Sequence, residues 1–355
     1  MSKECPEPSS ERPPRRPRYP GKNPRRFEQK YKELNPEKHP ETIARVIAAG
    51  KTPAGTHRPI CVAEILEILR PRQGDIAVDA TLGFGGHATE ILKRITPGGK
   101  LIGIDTDPLQ LPRTMERLRG FGFGEDSFIG IHSNYAALLK ILRANNVEGA
   151  DLILADLGVS SMQLDDPARG FSFKARGPLD LRMNPHKGVP ASALLAKASQ
   201  PQIAEWLHEN ADEPRAFEIA RSLVEHRVIR PLTTTLELGE AIERALRNGG
   251  RRPESREVSA AIARVFQALR IVVNDEFNAL ENFLRFLPES LKPGGRAVIL
   301  TFHSGEDRRV KKAFAEGAQN GTYRAISREV VRPSPAEILG NSRAASAKLR
   351  WAVRS

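Results

Sequence analysis

The segment Asp79-Ala80-Thr81-Leu82-Gly83-Phe84-Gly85-Gly86-His87 decides how this chain is read. It joins a short apolar run, 76–80, to a stretch with helical spacing that ends at Ile95. Glycines there let the backbone turn tightly and approach a ligand, while the start of the following helix presents free N–H groups. Asp105 closes the next apolar run, 19 residues after Gly86. A carboxylate at that place can accept hydrogen bonds from both hydroxyls of a ribose. The two features point to an adenosine-containing ligand at the carboxyl edge of a sheet.

Two ligands compete. Gly83-x-Gly85-x-x-Ala88 fits the dinucleotide fingerprint, a weak signal alone. S-adenosylmethionine is favoured over a nicotinamide cofactor on two grounds. Asp79, four residues before Gly83, can take the amino group of a methionine moiety and would repel a pyrophosphate. The chain also lacks a second nucleotide-binding half. A glycine turn that binds nothing stays open as well. His87 is either a ligand contact or a cap for the helix start. With no second metal-type residue at ligand spacing beside it, no metal is expected.

Moving outward, apolar runs and helical patterns alternate. Runs at 76–80, 100–104, 127–131 and 150–157 are separated by helical stretches near 109–118 and 135–145. That alternation predicts a parallel sheet covered on both faces. The rhythm breaks over 164–270, where only helical patterns occur: 191–196, 201–209, 216–228, 235–246 and 258–269. It resumes with a helix over 276–291. Pro293-Gly294-Gly295 then turns into a strand at 297–302, a helix covers 307–316, and two strands follow near 323–331 and 348–353. The expected architecture is α/β: a mostly parallel, seven-stranded Rossmann-like sheet formed by 57–163 and 271–355. An all-helical domain, 164–270, is inserted in it. Residues 1–56 precede the core as a Pro/Arg-rich extension read as largely disordered, apart from a short helix near 41–49.

Composition narrows the function. Fifty-five Lys and Arg against 43 Asp and Glu give a net charge of +12 across 355 residues. Residues 1–56 alone carry 13 basic and 7 acidic side chains, which favours a polyanionic partner such as nucleic acid over a plain solubilising tail. No uninterrupted apolar run approaches the ~18 residues of a membrane span. The N-terminus lacks an apolar signal core. Two cysteines, Cys5 and Cys61, make no CxxC and no disulfide framework, which suits a reducing cytoplasm.

The run 150–157 leads into Asp156-Leu157-Gly158-Val159-Ser160-Ser161-Met162-Gln163-Leu164-Asp165-Asp166. Beyond the carboxyl ends of the strands, this loop faces the ligand. Its polar groups suit an exocyclic amine. The amine of cytosine or adenine is a poor nucleophile, because its lone pair is delocalised into the ring. An acceptor for one N–H can rotate the nitrogen into line with a methyl group. Asp156 is the candidate acceptor, with Ser160 and Ser161 as helpers. The plainer alternative is that Asp156 only holds the cofactor.

That loop and its continuation, Pro167-Ala-Arg-Gly-Phe-Ser-Phe173 followed by Gly177-Pro-Leu-Asp-Leu-Arg-Met-Asn184, closely resemble the bacterial RsmH (MraW) family. Gly85-Gly86-His87, Phe266-Gln-Ala-Leu-Arg-Ile-Val-Val-Asn274, Thr301-Phe-His-Ser-Gly-Glu-Asp-Arg-Arg-Val-Lys311 and Ser346-Ala-Lys-Leu-Arg350 extend the likeness over about 57–355. The resemblance implies a class I S-adenosylmethionine-dependent methyltransferase. Its substrate would be 16S rRNA, at the N4 amine of cytidine 1402 in the decoding centre, presented by the assembled 30S subunit. A homodimer is compatible with it, and a membrane is not involved. Cofactor contacts carried over are Gly85, Gly86, His87, Asp105, Asp156, Gln163 and Tyr135, where the family usually has Phe. Asp79 and Gly83 join them from the reading of the loop itself. Three positions depart from the family pattern. Met162 stands for proline, Gly305 for leucine, and Ala261-Ile-Ala-Arg264 for His-Pro-Ala-Thr-Arg. Residues 1–56 have no counterpart in this resemblance.

For the nucleobase, Phe171 and Phe173 beside Arg169 and Lys174 suit stacking near phosphates, or anchor the loop as core residues. Asp180 and Arg182 pair with each other or touch the base. Arg264 and Arg270 lie six apart on one helix and point to different faces, so at most one meets a given phosphate. His303 touches substrate or only satisfies backbone. Three other functions compete. An RNA-binding module that has lost catalysis would need a broken glycine loop. An amino methyltransferase acting on DNA or another RNA would usually carry a Pro-Pro-aromatic loop after strand four in the DNA case. An NAD-dependent oxidoreductase would bind NAD.

One prediction concerns the basic extension. Deleting residues 1–50 should flatten the salt dependence of small-subunit binding, read as the slope of log affinity against log salt. An unchanged slope would make the extension an inert tail.

Overall fold

The computed structural model describes residues 59–247 and 253–355. The extension 1–56, with the short helix expected near 41–49, therefore lies outside the described residues. Thr56–Ser355 forms one compact unit.

The described chain opens with α1 (Val62–Leu69), β1 (Ile76–Asp79), α2 (Gly86–Ile95), β2 (Lys100–Asp105) and α3 (Leu111–Gly120). Then come β3 (Phe128–His132), a 3-10 turn at Tyr135–Ala137, α4 (Leu138–Ala144), β4 (Ala150–Asp156) and the short α5 (Ser161–Asp165). Five helices follow: α6 (Ala191–Lys197), α7 (Gln200–Ala211), α8 (Ala216–Ile229), α9 (Thr235–Arg247) and α10 (Ser255–Asn274). The chain ends with α11 (Glu276–Ser290), β5 (Leu291–Thr301), α12 (Ser304–Gln319), β6 (Tyr323–Ile326), α13 (Pro335–Gly340) and β7 (Lys348–Arg354).

The seven strands form one sheet in the order β3-β2-β1-β4-β5-β7-β6. The first five pair in parallel, and β7 runs antiparallel to both β5 and β6. This is the class I methyltransferase arrangement expected above. Strands covered on both faces must be apolar on both, and these are. Val78, Ile102, Ile153 and Ile299 face one layer with Phe283, Leu287 and Phe314 from α11 and α12. Ala77, Leu101, Leu154 and Val298 face the other, with Ile65, Leu69, Ile91 and Leu92 from α1 and α2.

A third apolar cluster runs from Phe171 to Leu269 and includes Ile203, Leu207, Ile219, Leu223, Leu238, Ile242 and Val265. We propose on this basis that the helical stretch is an insert with a core of its own. Its expected end at 270 falls inside α10. That helix continues to Asn274 because Val265, Leu269 and Ile271 keep one face buried. Asp275, in the left-handed region at φ 54, makes the break. One expectation needs correcting. Pro293-Gly294-Gly295 does not precede β5 but lies within it, at a register irregularity between Ala150 and Leu152 of β4. The irregularity accommodates a proline that cannot donate to a regular ladder.

Phe283 is fully buried between α4 and the sheet layer. Phe283→Ala should cost about 3–5 kcal/mol and lower the denaturant midpoint without changing the slope. Chemical unfolding followed by circular dichroism reads this.

Candidate active site

The sheet order places β2 on one side of β1 and β4 on the other, so their connections leave in opposite directions. A crevice opens beyond the carboxyl ends at such a point. Three aspartates end the three strands: Asp79, Asp105 and Asp156.

The glycine loop is shaped by these strands. Gly83 and Gly85 have φ of 49° and 64°, where a Cβ is disfavoured. A Cβ on Gly85 would also lie 3.1 Å from Thr114 Cγ2. Thr114 Oγ1 donates to the Gly83 carbonyl at 2.6 Å, pinning the loop to α3. The Gly83 N–H donates to Asp105 Oδ2 at 2.8 Å, and the Asp107 N–H to Oδ1 at 2.8 Å. Asp105 is thus fixed in orientation, and each oxygen keeps accepting capacity for a hydroxyl. Burial pushes its pKa up to about 6, against the pull of those two N–H groups.

Asp79 is only 1% exposed, and its carboxyl is pushed up to about 7. Burial is the main cause, opposed by His87 and the Thr81 N–H. Thr81 Oγ1 accepts the Asp156 N–H at 2.6 Å, which ties the loop after β1 to the tip of β4. His87 does not cap α2 with its side chain; Gly85 stands at the cap and Gly86 begins the helix. Instead the buried His87 Nε2 lies 3.6 Å from Asp156 Oδ2. That is too long for a hydrogen bond. His87 Nε2 and Asp156 Oδ1 are both buried and lack a hydrogen-bond partner. Buried polar atoms are normally satisfied, so this pair awaits one. A polar ligand with an ammonium and two ribose hydroxyls fits the donor and acceptor set: Asp79 for the cation, Asp105 for the hydroxyls, and the orphaned atoms beside them.

Gln163 lies at the crevice but is already engaged. Its side chain accepts the Ser160 N–H at 2.9 Å and donates to Asp107 Oδ2 at 2.8 Å. Ser160 caps α5, its Oγ accepting from the Gln163 N–H at 3.2 Å and facing Gln110 Oε1 at 3.4 Å. Its role is therefore to shape the loop. Ser161 is the first residue of α5. Tyr135 is half-buried on the 3-10 turn after β3, edge-on to Phe283 at 5.5 Å. Burial, then the nearby Glu276 and Glu306 carboxylates, push its phenol well above the usual range.

Several residues expected to meet the nucleobase are committed elsewhere. Phe171 is 5% exposed inside the helical cluster, and Phe173 packs on Phe266 at 5.9 Å. The Phe171 ring is a core anchor, because a covered face cannot stack on a base, while Phe173 lies only partly buried at the edge of the cluster. Asp180 holds Arg182 with both oxygens, at 2.8 and 2.7 Å. Arg270 is bidentate on Glu276, at 2.7 and 2.8 Å, so it is not free for a phosphate. Arg264 pairs with Glu213 at 2.7 Å. His303 caps α12 through Nδ1, and its Nε2 lies 3.2 Å from Glu306 Oε1. Lys174 and Arg176, exposed on the loop after Phe173, remain open to a polyanion.

Two groups of metal-type side chains occur among the described residues, Cys61-Glu64-Glu337 and Glu276-His303-Glu306. In the first, burial pushes the Cys61 thiol up to about 12, so it keeps its proton. In the second, Glu276 is taken by Arg270, while Glu306 accepts the Phe302 N–H. A cleft of about 350 Å³ lined by Thr96–Gly99, Gly122, Phe123, Asp126 and Ser127 lies at the opposite, amino-terminal ends of β2 and β3. It is remote from every aspartate above that ends a strand.

The sequence readings missed Asp107, which is 1% exposed and accepts from Gln163, Arg169 and the Leu109 N–H. Its position two residues beyond Asp105 was the available signal.

Residues 54–355 match the model of the MraW methylase family. "Ribosomal RNA small subunit methyltransferase H 2" of Alkaliphilus metalliredigens is 48% identical over 342 residues, covering 96% of this chain and 97% of the relative. The corresponding "methyltransferase H 1" of Agathobacter rectalis is 47% identical, with 96% and 97% covered. "Ribosomal RNA small subunit methyltransferase H" of Carboxydothermus hydrogenoformans is 40% identical over 98% of its own length but only 84% of this chain. An alignment over 96% of the chain takes in most of residues 1–56. The extension is therefore shared with some relatives, contrary to the expectation that it has no counterpart.

The raised carboxyls of Asp79 and Asp105 set a pH dependence. Both groups hold protons in the folded protein above their unfolded values, so the stability they contribute is present at low pH. It is lost as pH rises through about 6 and about 7. A cationic ligand needs Asp79 ionised. Affinity for S-adenosylmethionine should therefore be weaker at about pH 5.5 than at about pH 8, with protons released on binding at the lower pH. Calorimetry in two buffers of different ionisation enthalpy measures the release, and proton uptake would contradict the assignment.

Proposed function

The chain belongs to the MraW methylase family, and on that premise we propose that it methylates small-subunit ribosomal RNA with S-adenosylmethionine as donor. The finer reading is N4-methylation of cytidine 1402 of 16S rRNA in the assembled 30S subunit. The observation that carries it is the unsatisfied Asp156 Oδ1 at the tip of β4, buried opposite the equally unsatisfied His87 Nε2. The names of the relatives support the RNA substrate, and the resemblance of 156–184 supports the cytosine amine.

Asp105 would hold the ribose, Asp79 the amino group, and Gly83, Gly85 and Gly86 would let the backbone come close. Tyr135, Gln163 and His87 would line the remaining pocket. S-adenosylmethionine supplies a methyl group on a sulfonium, whose leaving group is neutral. The chain's own work is orientation. An exocyclic amine must give up conjugation before its lone pair can attack. Asp156 Oδ1 accepts one of its N–H groups and turns the nitrogen toward the methyl. The same oxygen is then placed to receive the proton that the alkylated nitrogen sheds. His87, 3.6 Å from Oδ2, limits where that carboxylate can point.

The exposed Lys174 and Arg176, and the basic balance of +12, supply attraction to the RNA backbone. No helix among the described residues is long and apolar enough to cross a membrane. A soluble, cytoplasmic enzyme acting on the 30S particle, alone or as a homodimer, is the setting proposed.

The direct test is mass mapping of small-subunit rRNA from cells lacking this protein. One cytidine should be lighter by a methyl group, and purified protein with S-adenosylmethionine should restore it. A fully modified RNA would refute the proposal. Asp156→Asn should lower kcat by about 100-fold while changing cofactor affinity little. A loss confined to affinity would reduce Asp156 to a cofactor ligand.

A further inference from the structure

The loop 179–184 sits under unusual constraint. Leu181 is 1% exposed yet has φ 65, in the left-handed region that a branched side chain rarely adopts. Such a conformation persists only where its surroundings hold it. Here the holders are visible. The Leu181 N–H donates to the Arg169 carbonyl at 3.3 Å. Asn274 Nδ2 donates to the Leu181 carbonyl at 2.8 Å, and Asn274 Oδ1 accepts the Met183 N–H at 2.7 Å. Arg169 Nη2 donates to the carbonyls of Arg182 at 3.1 Å and Met183 at 2.7 Å.

The other arm of that guanidinium reaches the cofactor side. Arg169 Nη1 donates to Asp107 Oδ2 at 2.7 Å, and this ion pair is 11% and 1% exposed. The same Asp107 oxygen accepts from Gln163 Nε2, while the Asp107 N–H donates to Asp105. One carboxylate therefore touches Asp105 through its backbone, Gln163 through its side chain, and the strained loop through one arginine. The loop continues to Asn184, whose Nδ2 lies 3.4 Å from His132 Nε2 at the tip of β3. The loop is thus tied to the carboxyl edge at two points, through Asp107 and through His132.

We propose that Arg169, anchored by Asp107, is a positioning residue that sets loop 179–184 by reference to the cofactor pocket. Occupation of the pocket and engagement of RNA then reinforce each other. The fork of arginine is essential to this role. One planar group must bond a carboxylate on one side and two carbonyls on the other, and an ammonium cannot span them. The inference rests on the reading of the pocket as a cofactor site and of the substrate as RNA.

The test uses the full chain as wild type, Arg169→Lys and Asp107→Asn. Hydrogen exchange of 179–184 is followed with and without S-adenosylhomocysteine, and methylation of small subunits lacking the modification is assayed alongside. In the wild type the ligand should slow exchange across 181–183. In Arg169→Lys, exchange there should be faster and the ligand should no longer slow it. The KM for small subunits should rise by about 10-fold, while kcat and ligand affinity stay within about threefold. Asp107→Asn removes the charge facing Arg169 and is read by exchange alone: without ligand, exchange across 181–183 should again be faster than in the wild type. An unaltered exchange response, or an equal loss of ligand affinity and RNA affinity, would overturn the proposal. A wild type that transfers no methyl group to small subunits would refute the function instead, and the exchange readings would still judge the Arg169 link.

Discussion

Everything at the carboxyl edge depends on keeping carboxylates out of water without losing their hydrogen bonds. Asp79, Asp105, Asp107 and Asp156 stand at or just beyond three neighbouring strand tips, and two of them are almost fully buried. Desolvation alone would drive such groups to their neutral forms. The backbone opposes this locally. Asp105 receives N–H groups from Gly83 and Asp107, and Asp107 receives one from Leu109 and two side-chain donors. Glycine turns and Asx-type turns are therefore the means by which acidic groups are held ready in a low-dielectric crevice, and not simply connectors between strands.

Much of this was legible in the chain itself. A strand buried on both faces leaves a long apolar run, so the ends of β1, β2 and β4 could be placed to within a residue, and with them Asp79, Asp105 and Asp156. The glycine loop was readable because only a few residue types accept φ near 49° or 64°. What escaped were pairings set by changes of chain direction. Arg270 and Glu276 are six apart, a spacing that a continuous helix would not bring together. The left-handed Asp275 folds α11 back, and the two side chains meet. Phe171 looked available to a base because its neighbours are basic. Its burial depends on helices α6 to α10, whose mutual packing no local spacing encodes. For Asp107 only its place two residues beyond Asp105 was a signal, since its partners Gln163 and Arg169 lie 56 and 62 residues away.

We propose that the helical stretch between α5 and α11 is a large insertion accepted by the sheet fold. Its cluster from Phe171 to Leu269 is distinct from the two clusters that line the sheet. Polar links back to the sheet edge include Arg169 to Asp107, Asn184 to His132, and Asp212 to Ser304 and Arg308, beside the apolar packing of Val159 and Leu164. Polar links of this kind cost little to rearrange compared with an apolar interface. They fix direction strongly because hydrogen bonds, unlike apolar contacts, are angular.

The last strand of the chain is not the last strand of the sheet. β7 lies between β5 and β6, with Ala297 opposite Ala352 and Leu300 opposite Leu349. During synthesis the nascent chain thus has β5 and β6 available but no partner to bridge them until β7, which follows both in sequence, emerges. The gap presents two open strand edges, which are sticky surfaces in a crowded cell. A chain without Lys348–Arg354 would lose an interior strand of the sheet and leave the facing edges of β5 and β6 unpaired, a target for proteolysis rather than a partly working enzyme.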